Sequence, residues 1–574
     1  MIFGYNKLMN GVKALLVLLL LLSMVQTANA ATWVVPDNGD LQSVIYRAQP
    51  GDRILIRAGT YHGGFDVNKS LTIMPYDGEV VIDAIGYEFG FKVRDDVSPT
   101  TDVSVIRLNF VGGTYGVLID DIERVDISNC NFNLNEYAVY IDGYCSDITI
   151  ESSYINGSSS DGIKNNEYKG IDGITIKDTV IANATYRGIY LDDWYDYPLK
   201  NVTIENVTVV NAGQEGIYVH MDSEVNSSNV WIRDSTIVNS SKHGIIIKPA
   251  KGTISLRNNI IYGCGYGGGD GSYYGIYVDG EGQSLDYFNN TVVECRNGIY
   301  VRDFKDFEAL KLYFNAGYPA NLVDVENVTV KVLADSAVNQ FVHAVYMDGY
   351  CSDITIESSY INGSSSDGIK NNEYKGVDGI TIKDTIIANA TYRGIYLDDW
   401  YDYPLKNVSI ENVTVVNAGQ EGIYVHMDSE VNSSNVWIKN SRFEDNNGYG
   451  ICLNSVKGAV NVTLTKVRSN ANGVYVSGSN ANLFMKGNEI ENSNYGLRAN
   501  SVGNAYICYN QFSSNYYAIY FEGGTQAEVH YCNIPVVGID FNEWGIYNAQ
   551  SNDVNAEYNW WNTEYGIGQH IYDP

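Results

Sequence analysis

A short repeat runs through the chain and restricts its fold more than any other feature. A small residue followed by two or three β-forming residues recurs along the sequence, mostly at intervals of about 21 to 31 residues. It is seen at Gly162-Ile163, Gly188-Ile189, Gly216-Ile217 and Gly244-Ile245. A fixed period of this length is typical of a solenoid, in which each coil packs only on its neighbours.

Each period also contains a second run in which apolar residues alternate with polar ones. The stretch ITIESSYI begins at Ile148, ITIKDTVI begins at Ile174, and VTIENVTV begins at Val202. Alternation with β-branched residues predicts strands, whereas a helical repeat needs apolar residues three and four apart. The sequence therefore predicts coils of two or three short strands joined by bends.

One position of the aligned second strands carries only short polar residues. These residue types tolerate a left-handed backbone and bond their own backbone in tight bends. We therefore predict a structural ladder of stacked bends at Asn129, Ser152, Asp178, Asn206, Asp234, Asn258 and Asn289.

The sequence also contains a second, longer repeat. Residues 138–235 and 344–441 are nearly identical and are offset by 206 positions, which indicates a tandem duplication. About eight coils separate the copies. At about 4.8 Å per strand layer, equivalent groups should lie about 38 Å apart.

The N-terminus predicts export. Lys7 and Lys13 precede the apolar run Ala14–Leu22, and Ala28-Asn29-Ala30 follows it. This order is typical of a secretory signal peptide, which we place at residues 1–30. We therefore expect a secreted protein, extracellular or on the cell surface, with no membrane insertion after signal cleavage.

The remaining chain divides into three parts. Residues 31–303 are predicted to form the first part of the solenoid, and residues 343–574 form the second part with a C-terminal cap. Residues 304–342 break the period and are predicted to be an irregular insertion or bulge. Leu41, Val44, Ile45 and Ala48 have the spacing of a short amphipathic helix, which would cover the N-terminal end of the core.

The charge of the chain excludes some partners. The formal net charge is −31, so nucleic acid and anionic membranes are not expected to bind, because phosphate binding needs clustered Lys and Arg. Such a charge favours either solubility or cation binding. The eight cysteines include no C-x-x-C pair, and their pairing stays open.

The stretch GIYLDDWYDYPLKN, at residues 188–201 and again at 394–407, is the candidate functional loop. Stacked coils would place it between KNNEYKG from Lys164 and HMDSEVNSSN from His220. Exposed aromatic faces with polar neighbours suit sugar rings. The candidate carbohydrate-binding residues are Tyr168, Trp194, Tyr195 and Tyr197, and their copies Tyr374, Trp400, Tyr401 and Tyr403.

The acidic residues of the same segments support two other hypotheses. Oxygen clusters suit Ca²⁺, and the candidate ligands are Asp192, Asp193, Asp222, Glu224, Asp398, Asp399, Asp428 and Glu430. Paired carboxylates can also act as general acid and base in glycoside cleavage. The catalytic candidates are Asp192, Asp193, His220 and Lys164, with the copies Asp398, Asp399, His426 and Lys370. No cofactor is required by these hypotheses, and calcium is the one that fits the oxygen cluster. A plain decorated turn is the structural alternative.

N-x-S/T sequons are frequent, as expected for either a glycoprotein or an Asn-rich and Thr-rich β-solenoid. In an exported chain they predict glycosylation on exposed turns. The candidates in and near the duplicated units are Asn156, Asn183, Asn201, Asn226, Asn362, Asn389, Asn407 and Asn432.

Two terminal motifs carry a family resemblance. The opening LQSVIYRAQPGDRILIRAGTYHGGFDVNKSLTIMPYDG, from Leu41, and the closing YNWWNTEYGIGQHIYDP, from Tyr558, resemble the right-handed parallel β-helix proteins of the pectin-lyase-like superfamily. The resemblance implies an all-β fold, a single-stranded right-handed parallel β-helix (solenoid) of about 18–20 coils with a short N-terminal capping helix. That superfamily includes polysaccharide lyases, glycoside hydrolases, epimerases and NosD-like periplasmic proteins.

The superfamily's catalytic motifs are absent or incomplete. SSDGIKNN at residues 159–166 keeps only an Asp-Gly-Ile core of the polygalacturonase pattern, and the epimerase signature D-P-H-D is missing. Fold alone does not select a function. The sequence favours a secreted or cell-surface protein that contacts polysaccharide or another glycan, with a polysaccharide lyase or glycoside hydrolase, and a structural envelope or matrix spacer, as the alternatives.

Overall fold

The structure is a computed structural model of the chain. It describes residues 30–95, 102–221, 229–250, 252–267, 273–280, 284–288, 290–293, 295–302, 306–315, 323–326, 330–335, 345–347, 351–357, 359–401, 403–428, 434–563 and 571–572. The described strands wind into a stack with three faces, which we call face 1, face 2 and face 3 in the order in which a coil visits them.

The strands of each face pair only in parallel, each with the equivalent strands of the coils before and after it. Face 1 contains Phe65–Val67, Phe89–Arg94, Tyr115–Asp120, Tyr137–Ile141, Ile163–Asn165, Ile189–Leu191, Ile217–His220, Ile245–Ala250, Tyr274–Gly280, Asn297–Arg302, Val323–Glu326, Val345–Met347, Ile369–Asn371, Ile395–Leu397, Ile423–His426, Tyr449–Asn454, Asn472–Ser477, Tyr495–Asn500, Tyr517–Glu522, Trp544–Asn548 and Ile571–Tyr572.

Face 2 follows face 1 in each coil. It contains Thr32–Val35, Asp52–Ile56, Leu71–Pro75, Asp102–Ile106, Arg124–Ser128, Cys145–Glu151, Ile171–Lys177, Leu199–Glu205, Val230–Arg233, Ile254–Arg257, Ser284–Phe288, Asp306–Asn315, Val330–Asp335, Cys351–Glu357, Val377–Lys383, Leu405–Glu411, Ser434–Lys439, Gly458–Thr463, Ala481–Lys486, Asn504–Cys508, Gln526–His530 and Val554–Asn555.

Face 3 is built mostly of three-residue strands that follow a sharp bend. It contains Gly59–His62, Val80–Asp83, Asn109–Val111, Asn131–Asn133, Tyr154–Asn156, Val180–Ala182, Thr208–Val210, Thr236–Val238, Ile260–Tyr262, Thr291–Val293, Tyr360–Asn362, Ile386–Ala388, Thr414–Val416, Arg442–Glu444, Lys466–Arg468, Glu489–Glu491 and Gln511–Ser513. The predicted all-β parallel solenoid is confirmed.

The core is a continuous apolar column inside the three faces. Register brings like residues together, so that Ile163, Ile189, Ile217 and Ile245 stack in successive coils and all four are fully buried. Because each strand alternates, every second side chain enters this column and the others point outward. Seven cysteines within the described residues are buried and unbridged.

The N-terminal capping helix is confirmed as α1, Leu41–Arg47. Its Ser43 backbone N–H donates to the Asp40 carboxylate at 2.9 Å, which caps the helix. Leu41, Val44 and Ile45 are buried against the first coils. Within the described part of the chain, no helix has the length and apolar character needed to cross a membrane.

The predicted bend ladder is also confirmed. Asn129, Asp178 and Asn206 have left-handed φ angles of 56°, 51° and 50° at the corner between faces 2 and 3. Their side chains bond from coil to coil, since the Asn206 amide donates to the Asp178 carboxylate at 2.7 Å. Ser152, Asp234 and Asn258 share the conformation, whereas Asn289 lies outside the described residues.

The stretch predicted as an insertion contains three described strands. Asp306–Asn315 pairs with Ser284–Phe288, and Val323–Glu326 pairs with Asn297–Arg302. Val330–Asp335 pairs with Asp306–Asn315 in turn. The described part of this stretch therefore continues the stack, and the boundaries at 304 and 342 stay predictions.

The two copies of the duplicated unit lie on the same stack. Eight successive pairings along face 1 connect Tyr137–Ile141 to Val345–Met347. At about 4.8 Å per pairing, equivalent groups are about 38 Å apart along the axis.

Candidate functional site

The candidate loop begins where a face 1 strand ends. Ile189 and Leu191 point into the core and are fully buried, as alternation predicted, and Tyr190 between them points outward. Residues 192–198, which we call the aromatic loop, then connect this strand to Leu199 at the start of the next face 2 strand. The equivalent loop of the second copy is residues 398–404.

Asp193 holds the aromatic loop closed from inside. Its side chain is fully buried, and its carboxylate accepts a hydrogen bond from the Leu199 backbone N–H at 2.9 Å. Asp399 makes the same bond to Leu405 at 3.0 Å. This observation supports a structural role, because the carboxylate is turned away from solvent.

Asp192 is the centre of a buried polar cluster. Asn165, in the preceding coil, clamps its backbone by accepting from the Asp192 N–H at 2.8 Å and donating to the Asp192 carbonyl at 2.7 Å. The carboxylate accepts from the Tyr190 hydroxyl at 2.5 Å and lies 2.6 Å from Nδ1 of His220 in the following coil. Three coils therefore contribute to what we call the Asp192 cluster.

The cluster is repeated in the second copy. Asp398 lies 2.5 Å from the Tyr396 hydroxyl and 2.8 Å from Nδ1 of His426. In the first copy the Tyr190 hydroxyl is also 3.5 Å from Glu167. The agreement follows from the sequence duplication and the common fold.

The electrostatics keep the tyrosine protonated and favour a charged histidine. Burial raises the pKa of Tyr190, and the hydrogen bond to Asp192 raises it further, so the hydroxyl acts as a donor. The hydrogen bond to Asp398 raises the pKa of His426, although burial opposes the shift. The arrangement therefore favours a protonated His426 paired with the buried Asp398 carboxylate.

The raised pKa of His426 makes stability depend on pH. Its contribution is fully present below the unfolded-state pKa of about 6.5 and is lost as pH rises through the higher folded-state pKa. We therefore expect the free energy of unfolding to fall as the pH rises from about 6.5 through the folded-state pKa of His426. Asp398→Asn should reduce this fall. Urea denaturation at a series of pH values measures it.

The matched control is Asp378→Asn. Asp378 is exposed and paired with Lys406 at 3.4 Å, so its loss should leave the pH profile in this range unchanged. An Asp398→Asn variant with the wild-type pH profile would show that the His426–Asp398 pair does not supply the dependence.

The outer surface of the aromatic loop is built from rings. Trp194 is 40% exposed and lies 5.9 Å from Tyr168 and 5.1 Å from Tyr195 between ring centroids. Tyr168 and Tyr195 are both more than half exposed. Three of the predicted carbohydrate-binding residues thus form one exposed group, which we call the Trp194 group.

The ring of Tyr197 pairs with a different tyrosine, although its backbone N–H donates to the Trp194 carbonyl at 3.1 Å. Its ring centroid is 5.8 Å from that of Tyr144, on the side of the loop that faces the start of face 2. In the second copy, Trp400 contacts Tyr374 at 5.8 Å and Tyr401 at 5.2 Å. The structure therefore repeats the exposed rings.

Lys164 lies over tyrosine rings. Its Nζ is 4.9 Å from the Tyr190 ring centroid, and Lys370 lies 5.1 Å from the Tyr396 ring. These are cation–π distances. Lys164 thus contacts the ring of Tyr190, whose hydroxyl is bonded to Asp192.

Sequence reasoning missed Tyr190, Asn165 and a buried ion pair. Arg187 lies 4.3 Å over the Tyr190 ring, and its Nε donates to Glu215 at 2.9 Å. Glu215 is 5% exposed. Arg187 and Glu215 come together because strands 28 residues apart are in register. The outward position of Tyr190 could have been predicted from alternation alone.

The predicted calcium ligands are only partly described. Asp222, Glu224 and Glu430 lie outside the described residues, and Asp428 is described beside Asp399. Burial raises the pKa of Asp428, and the negative charges of Asp398 and Asp399 add to this, whereas His426 opposes it. Among the described residues, no three His, Cys, Asp or Glu side chains are grouped so that they could hold a metal ion. Calcium binding stays a prediction.

Four glycosylation candidates lie at the end of a face 3 strand or directly after it, and two lie inside face 2 strands. The Asn183 amide donates to Asn156 at 2.9 Å, and the Asn389 amide donates to Asn362 at 2.7 Å. The Asn201 amide donates to Asp172 at 3.1 Å, and Asn407 has a left-handed φ of 53°. Asn226 and Asn432 lie outside the described residues. Modification of all eight stays a prediction.

The chain is similar to several solved structures at low sequence identity. The catalytic unit of a GH87 α-1,3-glucanase from Streptomyces thermodiastaticus is 12% identical, with a TM-score of 0.25; the match covers 78% of this chain and 66%, just under two thirds, of that one. A mannuronan C-5 epimerase A-module from Azotobacter vinelandii is 11% identical with a TM-score of 0.16, covering 89% and 93%. These scores support no functional conclusion. No curated protein matches the sequence.

Two family models match the sequence. One, described as periplasmic copper-binding protein (NosD), matches residues 165–316. Among the described residues of that stretch, no three His, Cys, Asp or Glu side chains are grouped so that they could hold a copper ion, and the soft ligands Met221, Cys264 and Cys295 are buried in the core. The other, described as right handed beta helix region, matches residues 97–226 and 274–483, more than half of the chain. The stacked parallel coils agree with this match, and the chain belongs to the right-handed β-helix family.

Proposed function

We propose that the protein binds polysaccharide through the Trp194 group and its copy around Trp400. The observation that carries the proposal is the grouping of three exposed rings, in which the Tyr168 and Tyr195 centroids both lie within 6 Å of that of Trp194. Sugar C–H bonds pack on ring faces while sugar hydroxyls bond to polar neighbours. Asp196, exposed in the same loop, is such a neighbour.

The burial of the acidic residues supports the proposal that the polysaccharide contacts the aromatic rings. Asp192 and Asp193 are 6% and 0% exposed, so a ligand meets the aromatic side chains first. The buried carboxylates fix the loop that presents those side chains. A loop fixed before binding loses little conformational entropy when the ligand arrives.

The second copy raises the expected avidity. Two equal groups about 38 Å apart can engage one long polysaccharide, and the second contact is then intramolecular. The avidity depends on the polymer reaching both groups, so long chains should bind more tightly than short oligosaccharides.

We further propose that the protein works outside the cytoplasm, secreted or at the cell surface. The signal-like N-terminus supports this location, as does the match of residues 165–316 to a family described as periplasmic. The supporting experiment is fractionation of the native host's cells. Mature protein confined to the cytoplasm would contradict the location.

Removal of the two tryptophans should abolish retention on polysaccharide. We expect the wild-type protein to be retained on insoluble polysaccharides in a pull-down panel, and the Trp194→Ala/Trp400→Ala double variant to bind at least tenfold more weakly. A tenfold loss corresponds to about 1.4 kcal/mol, within the range for an aromatic contact. Each single variant should keep the other group and lose less.

Tyr87→Ala is the matched control, because Tyr87 is a 50% exposed ring outside the duplicated units. Retention of the double variant at the wild-type level would exclude the two groups as the binding surface. Retention of no polysaccharide by the wild type would favour a structural spacer instead.

A polysaccharide lyase or glycoside hydrolase is the second candidate. It is favoured by the Asp192 cluster, in which the carboxylate lies 2.5 Å from the Tyr190 hydroxyl and 2.6 Å from Nδ1 of His220. Such groups can move protons in glycoside or uronate cleavage. The same panel decides, since reducing ends or unsaturated products must appear in the supernatant and must disappear in Asp192→Asn/Asp398→Asn.

A further inference from the structure

An open groove lies on face 2 near the C-terminal end of the stack. It has a volume of about 1050 Å³ and spans the strands from Gly458–Thr463 to Val554–Asn555. It is on a different face from the Trp194 group and lies C-terminal to both duplicated units. Its lining consists largely of outward-pointing side chains of successive coils, in two columns.

One column is built of amides. Asn482, Asn504 and Gln526 are in register, and the Asn504 amide donates to Asn482 at 2.8 Å. A primary amide has both donors and acceptors. The column therefore offers hydrogen-bonding groups of both kinds without a formal charge.

The second column is aromatic. Phe484 and Tyr506 stack with ring centroids 5.8 Å apart and planes 3° from parallel. Register places Asn461 before them and Glu528 after them. The stacked rings give an apolar strip beside a row of amides, which matches the C–H groups and the hydroxyls of a sugar.

A stack of exposed tyrosines borders the groove at the corner between faces 2 and 3. Tyr509 and Tyr531 are 5.2 Å apart between centroids, and Tyr531 and Tyr558 are 5.5 Å apart, with planes within 12°. The three side chains are 57%, 49% and 71% exposed. They extend the aromatic surface from the groove around the corner.

These tyrosines occupy a strained backbone position. Tyr509, Tyr531 and Tyr558 have φ angles of 56°, 55° and 61°, where the earlier coils use residues such as Asn206 and Asp178. A bulky residue is disfavoured in this left-handed region, and such strain concentrates at functional sites. The rings are exposed, so core packing does not explain their presence in three successive coils.

We propose that the groove and the tyrosine stack form a binding site for a neutral oligosaccharide that lies along the solenoid axis. The charged residues that line the groove are Glu528 and Asp553, both acidic, and the tyrosine stack adds one cation, Lys486, whose Nζ lies 5.5 Å from the Tyr509 ring centroid. The two carboxylates would repel a polyuronate, and the chain's charge of −31 adds to this repulsion. The site is independent of the Trp194 group and does not need it.

Calorimetric titration with neutral and acidic hexasaccharides tests the site. The probes are cello-, laminari-, manno- and xylohexaose, with an oligogalacturonate as the acidic arm. We expect at least one neutral hexasaccharide to bind, and Tyr506→Ala combined with Tyr531→Asn to weaken it at least tenfold. Tyr531→Asn restores the residue type that the other bends use, so it should remove the ring without loss of stability.

Two controls separate this site from the Trp194 group. Trp194→Ala/Trp400→Ala should keep the binding that the tyrosine variant loses, and Tyr506→Phe should keep most of it. The inference is overturned if no neutral hexasaccharide binds the wild type, if the oligogalacturonate binds more tightly, or if the tyrosine variant binds as the wild type does. It is also overturned if sedimentation shows that the tyrosines serve self-association, with oligomers that the same variant dissociates.

Discussion

Gly394→Val should lower the free energy of unfolding by about 3 kcal/mol or more, at the upper end of the usual cost of overpacking a core. A Cβ at Gly394 would lie 2.3 Å from Cγ1 of Val415 and 2.6 Å from the backbone carbonyl oxygen of Gly422. The second contact is with the backbone of the next coil, which cannot turn aside. Urea denaturation followed by circular dichroism measures the loss.

Gly170→Ala is the control for this substitution. A Cβ at Gly170 would meet its nearest atom, the Pro198 carbonyl oxygen, at an ordinary 3.5 Å, so the change should stay within about 0.5 kcal/mol. Wild-type stability in Gly394→Val would contradict the close approach of the coils. The small residue of the short repeat is thus a packing requirement, because a larger side chain at Gly394 would meet the side chains and the backbone of the following coil.

Arg187→Ala should lower the free energy of unfolding by about 1.5–3 kcal/mol, the range for a hydrogen bond to a charged group, because the carboxylates are buried while the Arg187 side chain is 23% exposed. Arg187 donates to Glu215 at 2.9 Å and also lies 3.8 Å from Asp161. Both carboxylates are at most 5% exposed, so the loss of Arg187 removes a cation from two buried acidic groups, and Glu215 keeps Lys242 at 3.6 Å. Burial already raises the pKa of Asp161, and the variant should raise it further.

Arg233→Ala is the matched surface control. Arg233 pairs with Glu205 at 2.8 Å, but its side chain is 51% exposed, and exposed pairs contribute about 0–1 kcal/mol. Equal losses for the two variants would show that the Arg187 pair is not effectively buried. Arg187→Lys should recover part of the loss, since a cation remains beside Glu215.

Much of the fold could be predicted from the sequence because a β-helix repeats one set of local rules. Alternation placed Ile189 and Leu191 in the core, and the short polar column placed Asn206 in a left-handed bend; both follow from nearest neighbours along the chain. The helix over Leu41–Arg47 followed from its apolar spacing.

The site was predicted less completely, because it depends on contacts between coils. Asp192 and Asp193 looked equally exposed in the loop sequence, yet one is bonded to His220 and the other closes the loop onto Leu199. The contact with His220 requires the exact register of strands 28 residues apart, and the bond to Leu199 requires the conformation of the loop itself. Trp194 and Tyr168 were predicted to be neighbours, because the stacking of consecutive coils alone is enough to place them together.

The number of ligand equivalents that each tryptophan variant loses tests the proposed function most directly. The ligand is a purified oligosaccharide of whichever polysaccharide the wild type retains, and calorimetric titration gives the equivalents bound. We predict that Trp194→Ala and Trp400→Ala each lose one equivalent and that the double variant loses two, because the two groups have the same structure. Equal numbers of equivalents in the wild type and in the double variant would contradict a carbohydrate-binding role for the duplicated loops.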